Sequence, residues 1–360
     1  MPWNITGNAR AVAAIARSLA SENPPHAYLF AGPARVGKAS LALRLAQALN
    51  CEHTVGAQGL APLRPDDTAD VAPCLQCTPC TRIAKFLHAD VQTVQLEIND
   101  DGEPKTAIAV DQVREVERSV ALNPFEGRTR VVIIDPAHLL TDEAQNAFLK
   151  TLEEPPPHVV IVLIAVREEK LLPTIHSRCR RVEFRLVPVG EIEGALAADG
   201  VEPDRAALLA RLAGGRPGWA LEMARDPRAF ERRRAVLETA HSIVSLPIHK
   251  RMSLAEKMTE DFRSDREAMY SQLVEWAGWW RDVMLVQSGA EDGVANADML
   301  VALREDSALY AEPQVRSFIH AILAAVEHLR ANVQPRPALE LLVLEAPAPA
   351  QVQSTPRRSG

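Results

Sequence analysis

The sequence predicts an α/β fold in which a parallel sheet is covered by helices and followed by a long all-α region. Two short runs without polar residues, Val131–Ile134 and Val159–Val166, are typical of strands buried on both faces of a parallel sheet. Apolar residues at helical spacing lie between these runs, and three prolines beginning at Pro155 end that helix. After about residue 187, each segment with clear periodicity is helical.

The remaining elements of the predicted α/β region follow from the same spacing rules. In chain order they are a helix over 8–21, a strand over 27–30, a glycine-containing turn over 32–40, a helix over 41–49, an extended loop over 56–73, a strand over 92–97, a helix over 110–119, and a helix after 131–134 capped by Thr141 or Asp142. Two later apolar stripes, within 269–284 and 315–329, predict core-facing sides of long helices.

Composition excludes several classes of protein. The 360 residues are 47% hydrophobic and 24% charged, as in ordinary globular proteins with two or three domains. An aromatic content of 4% argues against nucleic-acid binding by stacked aromatic platforms, and a net charge of −7 argues against a surface that is basic throughout. The N-terminus lacks the pattern of a secretory signal, and the longest apolar run is eight residues. We therefore expect a cytoplasmic chain without a membrane contact.

A phosphate-binding loop is predicted between the first strand and the helix that follows it. The segment G-P-A-R-V-G-K at 32–38 fits the Walker A pattern, in which Gly32 and Gly37 let backbone N–H groups face phosphate oxygens and Lys38 adds a positive charge. Asp135 closes a neighbouring strand and should lie near Lys38. The position after Lys38, where the Walker A pattern has a magnesium-binding hydroxyl, holds Ala39.

Four of the five cysteines are grouped with the spacing of a metal site: Cys51, Cys74, Cys77 and Cys80. Four thiolates can enclose Zn²⁺ tetrahedrally, and a site without an open position is structural. His53 and His88 are alternative ligands, and four reduced thiols are the alternative without a metal. We expect Cys179, the fifth cysteine, to be a small core residue.

Two further stretches carry a resemblance to a known family. D-E-A-Q-N-A-F-L-K-T-L-E-E-P-P at 142–156 and L-P-T-I-H-S-R-C at 172–179 resemble the bacterial replicative clamp loader, a family of AAA+ proteins, and within it the delta-prime subunits of DNA polymerase III. The similarity extends from about residue 1 to Leu344.

The resemblance implies a domain order. Its predicted parts are an AAA+ core over 1–186 with a zinc module at about 51–80, a helical lid over 187–227, a helical collar for oligomerisation over 228–345, and a disordered tail over 346–360.

The same resemblance predicts a nucleotide site without catalysis. Active members follow the strand-end Asp with Glu, where this chain has Pro136. The polar sensor position falls at Ala165 or Val166, and the arginine of the lid falls at Gly218. Because phosphoryl transfer depends on positioning and charge stabilisation, we expect no intrinsic ATPase and weak or absent ATP binding.

The expected function is that of a non-catalytic clamp-loader subunit in DNA replication. The resemblance implies tau/gamma and delta subunits, a sliding clamp and primed DNA as partners, and membership of a DNA-directed DNA polymerase, a nucleotidyltransferase. It also implies that Arg178 acts as an arginine finger for a neighbour's ATP, the alternative being a surface pair with an acid such as Glu183. The alternatives are an ATP-hydrolysing motor of the tau/gamma type and a zinc-dependent nucleic-acid-binding protein.

Overall fold

The computed structural model describes residues 3–21, 23–53, 71–99, 105–331 and 333–348. The chain forms two compact units. The first comprises Met1–Gly200 and Gly215–Trp219, and the second comprises Val201–Gly214 and Ala220–Gly360.

A five-stranded parallel sheet is the centre of the first unit, which confirms the predicted α/β class. Its strands are β1 Ala27–Ala31, β2 Val91–Val94, β3 Arg130–Ile134, β4 Val159–Ala165 and β5 Arg180–Glu183. The spatial order is β2-β3-β4-β1-β5, and each neighbouring pair is parallel. Parallel pairing places the carboxyl ends of β1, β3 and β4 at one edge, where ligands of such sheets bind.

Both faces of the sheet are buried at its central strands β1, β3 and β4, which explains why these three strands lack polar alternation. Val131 and Ile133 face one apolar cluster, whereas Val132 and Ile134 face another. The first cluster is completed by the helices near the N-terminus and the second by the helices between and after β3 and β4. The side chains of one strand thus point alternately into two cores.

The helices follow the predicted apolar spacing except for the short helix at 78–84, which the sequence did not predict. They are α1 Ala9–Leu19, α2 Lys38–Asn50, α3 Thr78–Ala84, α4 Val110–Val120, α5 Asp142–Glu153, α6 Pro173–Arg178, α7 Val189–Ala198, α8 Pro203–Leu212, α9 Pro217–Arg225, α10 Pro227–Ser242, α11 Ile248–Ser264, α12 Arg266–Gln287, α13 Leu300–Leu309, α14 Glu312–Arg330 and α15 Pro335–Leu344. Thr141 caps α5 through its side chain, which accepts from the N–H of Ala144 at 3.2 Å.

The second unit is helical and packs around α12. Trp276, Trp279 and Trp280 on this helix are fully buried, and the ring of Trp280 meets that of Phe318 edge-on at a centroid distance of 5.5 Å. The apolar stripes predicted within 269–284 and 315–329 supply much of this core. Within the described ranges, no helix combines the length and the apolar character that crossing a bilayer would require.

Some predicted boundaries differ from the structure or fall outside the part of the chain that it describes. β2 ends at Val94 and not at residue 97, because its register partner in β3 is Ile134, where β3 ends. Most of the loop predicted over 56–73 lies outside the described residues, as do positions 349–360 of the predicted tail. Ala346, the first residue of that tail, is buried, and its carbonyl accepts from Arg251 at 3.1 Å. The domain boundaries at 186, 227 and 345 remain predictions.

Candidate functional site

The turn between β1 and α2 has the backbone of a phosphate-binding loop. Gly32 has φ +142°, and a Cβ built there would lie 2.2 Å from the carbonyl oxygen of Phe184. Gly37, the N-cap of α2, has φ +98°. Both positions therefore require glycine, one for a close backbone approach and one for its left-handed conformation.

Lys38 opens α2 and is 5% exposed. Its Nζ donates to the carbonyl oxygen of Gly32 at 2.7 Å and also to that of Pro33. Burial lowers the pKa of Lys38 to about 8, although the nearby charge of Asp135 opposes the shift. Burial likewise raises the pKa of Asp135, against the attraction of Lys38. The pair predicted at this edge of the sheet is thus close enough to interact, and both members are partly removed from water.

The positions where the family resemblance implies catalytic groups carry other residues. Ala39 and Ser40 are both exposed on the first turn of α2. Ala165 is buried at the end of β4, and the next residue, Val166, is 44% exposed and donates its N–H to Nδ1 of His138 at 3.4 Å. Pro136 follows Asp135 directly. None of these side chains except the Ser40 hydroxyl offers a polar group, and Ser40 is one helical step from the required position.

Gly218 lies directly against the phosphate loop. Its N–H donates to the carbonyl oxygen of Arg35 at 2.9 Å, and a Cβ at position 218 would lie 3.0 Å from that oxygen. Arg35 itself has φ +61°. A side chain at position 218 would therefore require Arg35 to shift by a few tenths of an ångström.

The four grouped cysteines come together in space. Their sulfur atoms all lie within 4.8 Å of one another, and the sulfurs of Cys51 and Cys77 are 3.9 Å apart. Tetrahedral Zn²⁺ with Zn–S bonds of about 2.3 Å needs sulfurs about 3.8 Å apart, so the arrangement fits such an ion. The cluster could hold a metal.

Backbone donors surround these sulfurs in the way that suits thiolates. The N–H groups of Gln76 and Cys77 donate to the sulfur of Cys74 at 3.5 and 3.3 Å. Burial raises the pKa of Cys74, but these donors outweigh it and lower the pKa to about 6. Burial raises the pKa values of Cys77 and Cys80. A metal ion would be needed to hold all four as thiolates.

The two histidines suggested as alternative ligands lie in different places. His53 contacts Cys74, and with Glu52 and Cys77 it forms a second group of atoms within 4.8 Å of one another. His88 is buried away from the sulfurs, where its Nδ1 accepts from the N–H of Asp90 at 3.2 Å. Of the two, only His53 is near the cluster.

Helix α2 links the phosphate loop to the cysteine cluster, as the position of Cys51 after the predicted helix indicated. The helix begins at Lys38, and Cys51 is the residue that follows its last turn. Gln47 on this helix is buried and donates to the carbonyl oxygen of Cys80 at 2.6 Å. The two candidate sites therefore share one rigid element.

Arg178 is the last residue of α6 and lies at the surface. Its Nη1 donates to the carbonyl oxygen of Thr174 at 3.0 Å, and its Nη2 donates to the carboxylate of Glu153. Glu183, the acid suggested as its partner, pairs with Arg185 at 3.1 Å. Arg178 therefore pairs with the carboxylate of Glu153 and not with that of Glu183.

Comparison with known proteins identifies the family. The model described as “DNA polymerase III, delta subunit” matches residues 7–188, half of the chain. The chain belongs to this family. The match includes the phosphate loop, the cysteine cluster and Arg178, and it confirms the resemblance seen in residues 142–179.

Individual relatives are also DNA polymerase III subunits. The delta' subunit of Bacillus subtilis is 29% identical over 331 residues, which cover 91% of this chain and 92% of that subunit. The gamma/tau subunit of Mycobacterium tuberculosis is 29% identical over 369 residues, covering 94% of this chain and 59% of its own length. The tau subunit of Escherichia coli is 28% identical, with 99% and 56% covered. The chain therefore spans less than two thirds of these gamma/tau relatives but nearly all of the delta' relative.

Proposed function

We propose that this chain is a non-catalytic subunit of the delta-prime type in the clamp loader of bacterial DNA polymerase III. In this role it joins tau/gamma and delta subunits and helps to load a sliding clamp onto primed DNA in the cytoplasm. The observation that carries the proposal is the nucleotide site: Gly32, Gly37 and Lys38 keep the loop, while Pro136 and Gly218 replace catalytic groups. The coverage of the delta' relative agrees with it.

An ATPase measurement on the isolated chain tests the lack of catalysis. Several groups of one site are missing, and each such group is typically worth about a hundred- to a thousandfold in rate. Phosphate release by the wild-type chain should therefore equal that of a Lys38→Ala control. The second candidate, a motor of the tau/gamma type, is favoured by the gamma/tau relatives. Release well above the control would support the motor and contradict our proposal.

The partners are tested by co-purification. A tagged chain should capture delta and tau/gamma subunits from stoichiometric mixtures of purified proteins. Failure to join either subunit would contradict a role in the loader, whatever the ATPase result.

The cysteine cluster would hold one structural Zn²⁺. Four thiolates with N–H···S bonds are the donor set that such an ion prefers, and no open position is left for a reacting water. The ion would fix the end of α2 to α3 through Cys51, Cys77 and Cys80. Any nucleotide bound at the other end of α2 would be weakly held.

Arg178 would act on ATP bound to the adjacent subunit. There water attacks the terminal phosphorus, the bond to the bridging oxygen breaks, and ADP, phosphate and a proton are released. Arg178 would form no covalent bond. Its guanidinium would donate N–H groups to phosphate oxygens as their charge develops, which suits a planar fork that stays charged.

Replacement of Arg178 in a reconstituted loader tests this role. Fingers in other phosphoryl-transfer systems are worth about 10³–10⁵ in rate, so Arg178→Ala should sharply lower DNA-stimulated hydrolysis at the neighbouring site. Arg178→Lys should fail as well, because an ammonium lacks the fork. Wild-type turnover by Arg178→Ala would place the active finger elsewhere.

A further inference from the structure

The contacts of Arg178 occupy the edge of its guanidinium that a phosphate would use. Nη2 donates to Glu153, while Nη1 donates to the carbonyl oxygen of Thr174 at 3.0 Å and to Oγ of Ser177 at 3.3 Å. A phosphate bound in bidentate fashion needs two N–H groups from one edge of the fork. In this arrangement both terminal nitrogens are engaged within the chain itself.

The frame that brings Glu153 to Arg178 is rigid. Gln145 of α5 is buried, donates to the carbonyl oxygens of Leu140 and Lys170 at 3.2 and 3.3 Å, and accepts from the N–H of Leu172 at 2.8 Å. These bonds tie α5 to the segment that leads into α6. The residue after Arg178, Cys179, is buried in the core on the same face of the sheet. These contacts hold α5 and α6 next to each other.

The contact between Arg178 and Glu153 has fewer bonds than the ion pair of a nearby arginine, Arg181. Arg181 holds Glu168 through two parallel bonds, Nε to Oε2 at 2.7 Å and Nη2 to Oε1 at 2.6 Å. Glu153 uses one carboxylate oxygen and one guanidinium nitrogen, with side chains that are 31% exposed for Arg178 and 49% for Glu153. The two pairs are similarly exposed to water, so the pair with the single bond is the weaker of the two.

Glu153 also stands where a carboxylate is not favoured by its own helix. It is the last residue of α5, at the negative end of the helix dipole. The helix therefore gains nothing from this charge, and its described partner is Arg178.

We infer that Glu153 is a positioning residue. Its carboxylate holds the side chain of Arg178 against its own subunit until a nucleotide phosphate on the neighbour competes for the guanidinium. The inference rests on the in-trans role proposed for Arg178. A pair this exposed changes an equilibrium by up to about fivefold, whereas a finger on a developing phosphate charge is worth about 10³–10⁵. The interaction of Arg178 with the phosphate therefore outweighs the ion pair once the phosphate is in place. Before that, the ion pair restrains the side chain of Arg178.

The test uses a reconstituted loader in which this chain carries Glu153→Gln, Arg178→Ala or both. Glutamine keeps the shape and one acceptor oxygen but removes the charge, so the finger should leave more easily. DNA-independent ATP turnover should rise about two- to fivefold in Glu153→Gln. Glu154→Gln is the matched control, because Glu154 is the adjacent exposed acid and undergoes the same change in charge.

The double variant distinguishes the restraint of Arg178 by Glu153 from a general effect of the lost charge. If Glu153 acts through Arg178, Glu153→Gln should change nothing in the Arg178→Ala background. A rise that persists in that background, a rise of equal size in Glu154→Gln, or no rise at all in Glu153→Gln would overturn the inference. Normal turnover by Arg178→Ala alone would instead refute the proposed finger itself, so the two failures are distinguishable.

Discussion

Replacing Cys80 by serine should remove the metal and loosen one part of the first unit without unfolding the rest. Cys80 is fully buried on α3, and its sulfur lies within 4.8 Å of the other three. A serine hydroxyl stays protonated near neutral pH and is a poor ligand for zinc, so three thiolates would remain where four are needed for a closed site. We expect zinc to fall from one ion per chain to nearly none.

The size of the structural effect follows from what the insert contributes to the core. Structural zinc supplies about 10–16 kcal/mol to isolated peptides, which have no other core. Among its described residues, the segment from Cys51 to the end of α3 places two buried side chains in the core, Val71 and Ile83, and adds the hydrogen bond from Gln47 to the Cys80 carbonyl. Burial of about 1.5–3 kcal/mol for each side chain and about 1 kcal/mol for the bond gives about 4–7 kcal/mol for these described contacts. The sheet should therefore remain folded.

Elemental analysis and limited proteolysis measure the two expectations. Cys179→Ser is the matched control, because Cys179 is also buried but lies in a different cluster. The control should keep one zinc and resist cleavage between residues 71 and 84, whereas Cys80→Ser should be cleaved there. One zinc per chain in Cys80→Ser, or none in the wild type, would refute the reasoning.

Two further outcomes concern the phosphate loop. The pKa of Lys38 is about 8 in the folded chain and 10.5 ordinarily. Between these values the unfolded state holds a proton that the folded state has lost, so raising the pH should stabilise the wild type relative to Lys38→Met. Denaturant titrations of the wild type and Lys38→Met at several pH values measure this effect, and Lys85→Met is the exposed control. A difference in the free energy of unfolding that does not change with pH would contradict the expectation. Gly218→Ala should destabilise by about 1–3 kcal/mol, because its Cβ would crowd the Arg35 carbonyl at 3.0 Å. Gly190→Ala in α7 is the control, because a Cβ there would have nothing within 4 Å, and it should stabilise the chain by about 0.5–1 kcal/mol. Equal thermal shifts in the two variants would show that crowding of the Arg35 carbonyl is not the cause.

The sequence was sufficient for the central strands because its information there is local, whereas the edge strand β5, whose residues are mostly charged and exposed, was not predicted. Val131–Ile134 and Val159–Val166 lack polar residues, and they became strands β3 and β4, whose side chains face two cores, although β4 ends at Ala165 and Val166 is exposed. The glycines of the phosphate loop were also recognisable, since each meets a steric demand of the backbone. The length of β2 could not be predicted from the sequence, because an edge strand ends where its neighbour ends.

The sequence alone determined the class of fold, the family and the cysteines that form a cluster, because short-range spacing and residue type encode each of these. The tertiary structure decided which groups meet across long separations. Glu153 and Arg178 stand 25 positions apart, and nothing in their spacing distinguishes Glu153 from Glu183 as a partner. Gln47 reaches Cys80 for the same reason, since α2 and α3 pack together in the fold. Such contacts depend on where whole helices lie, and helix placement is set by the packing of the entire core.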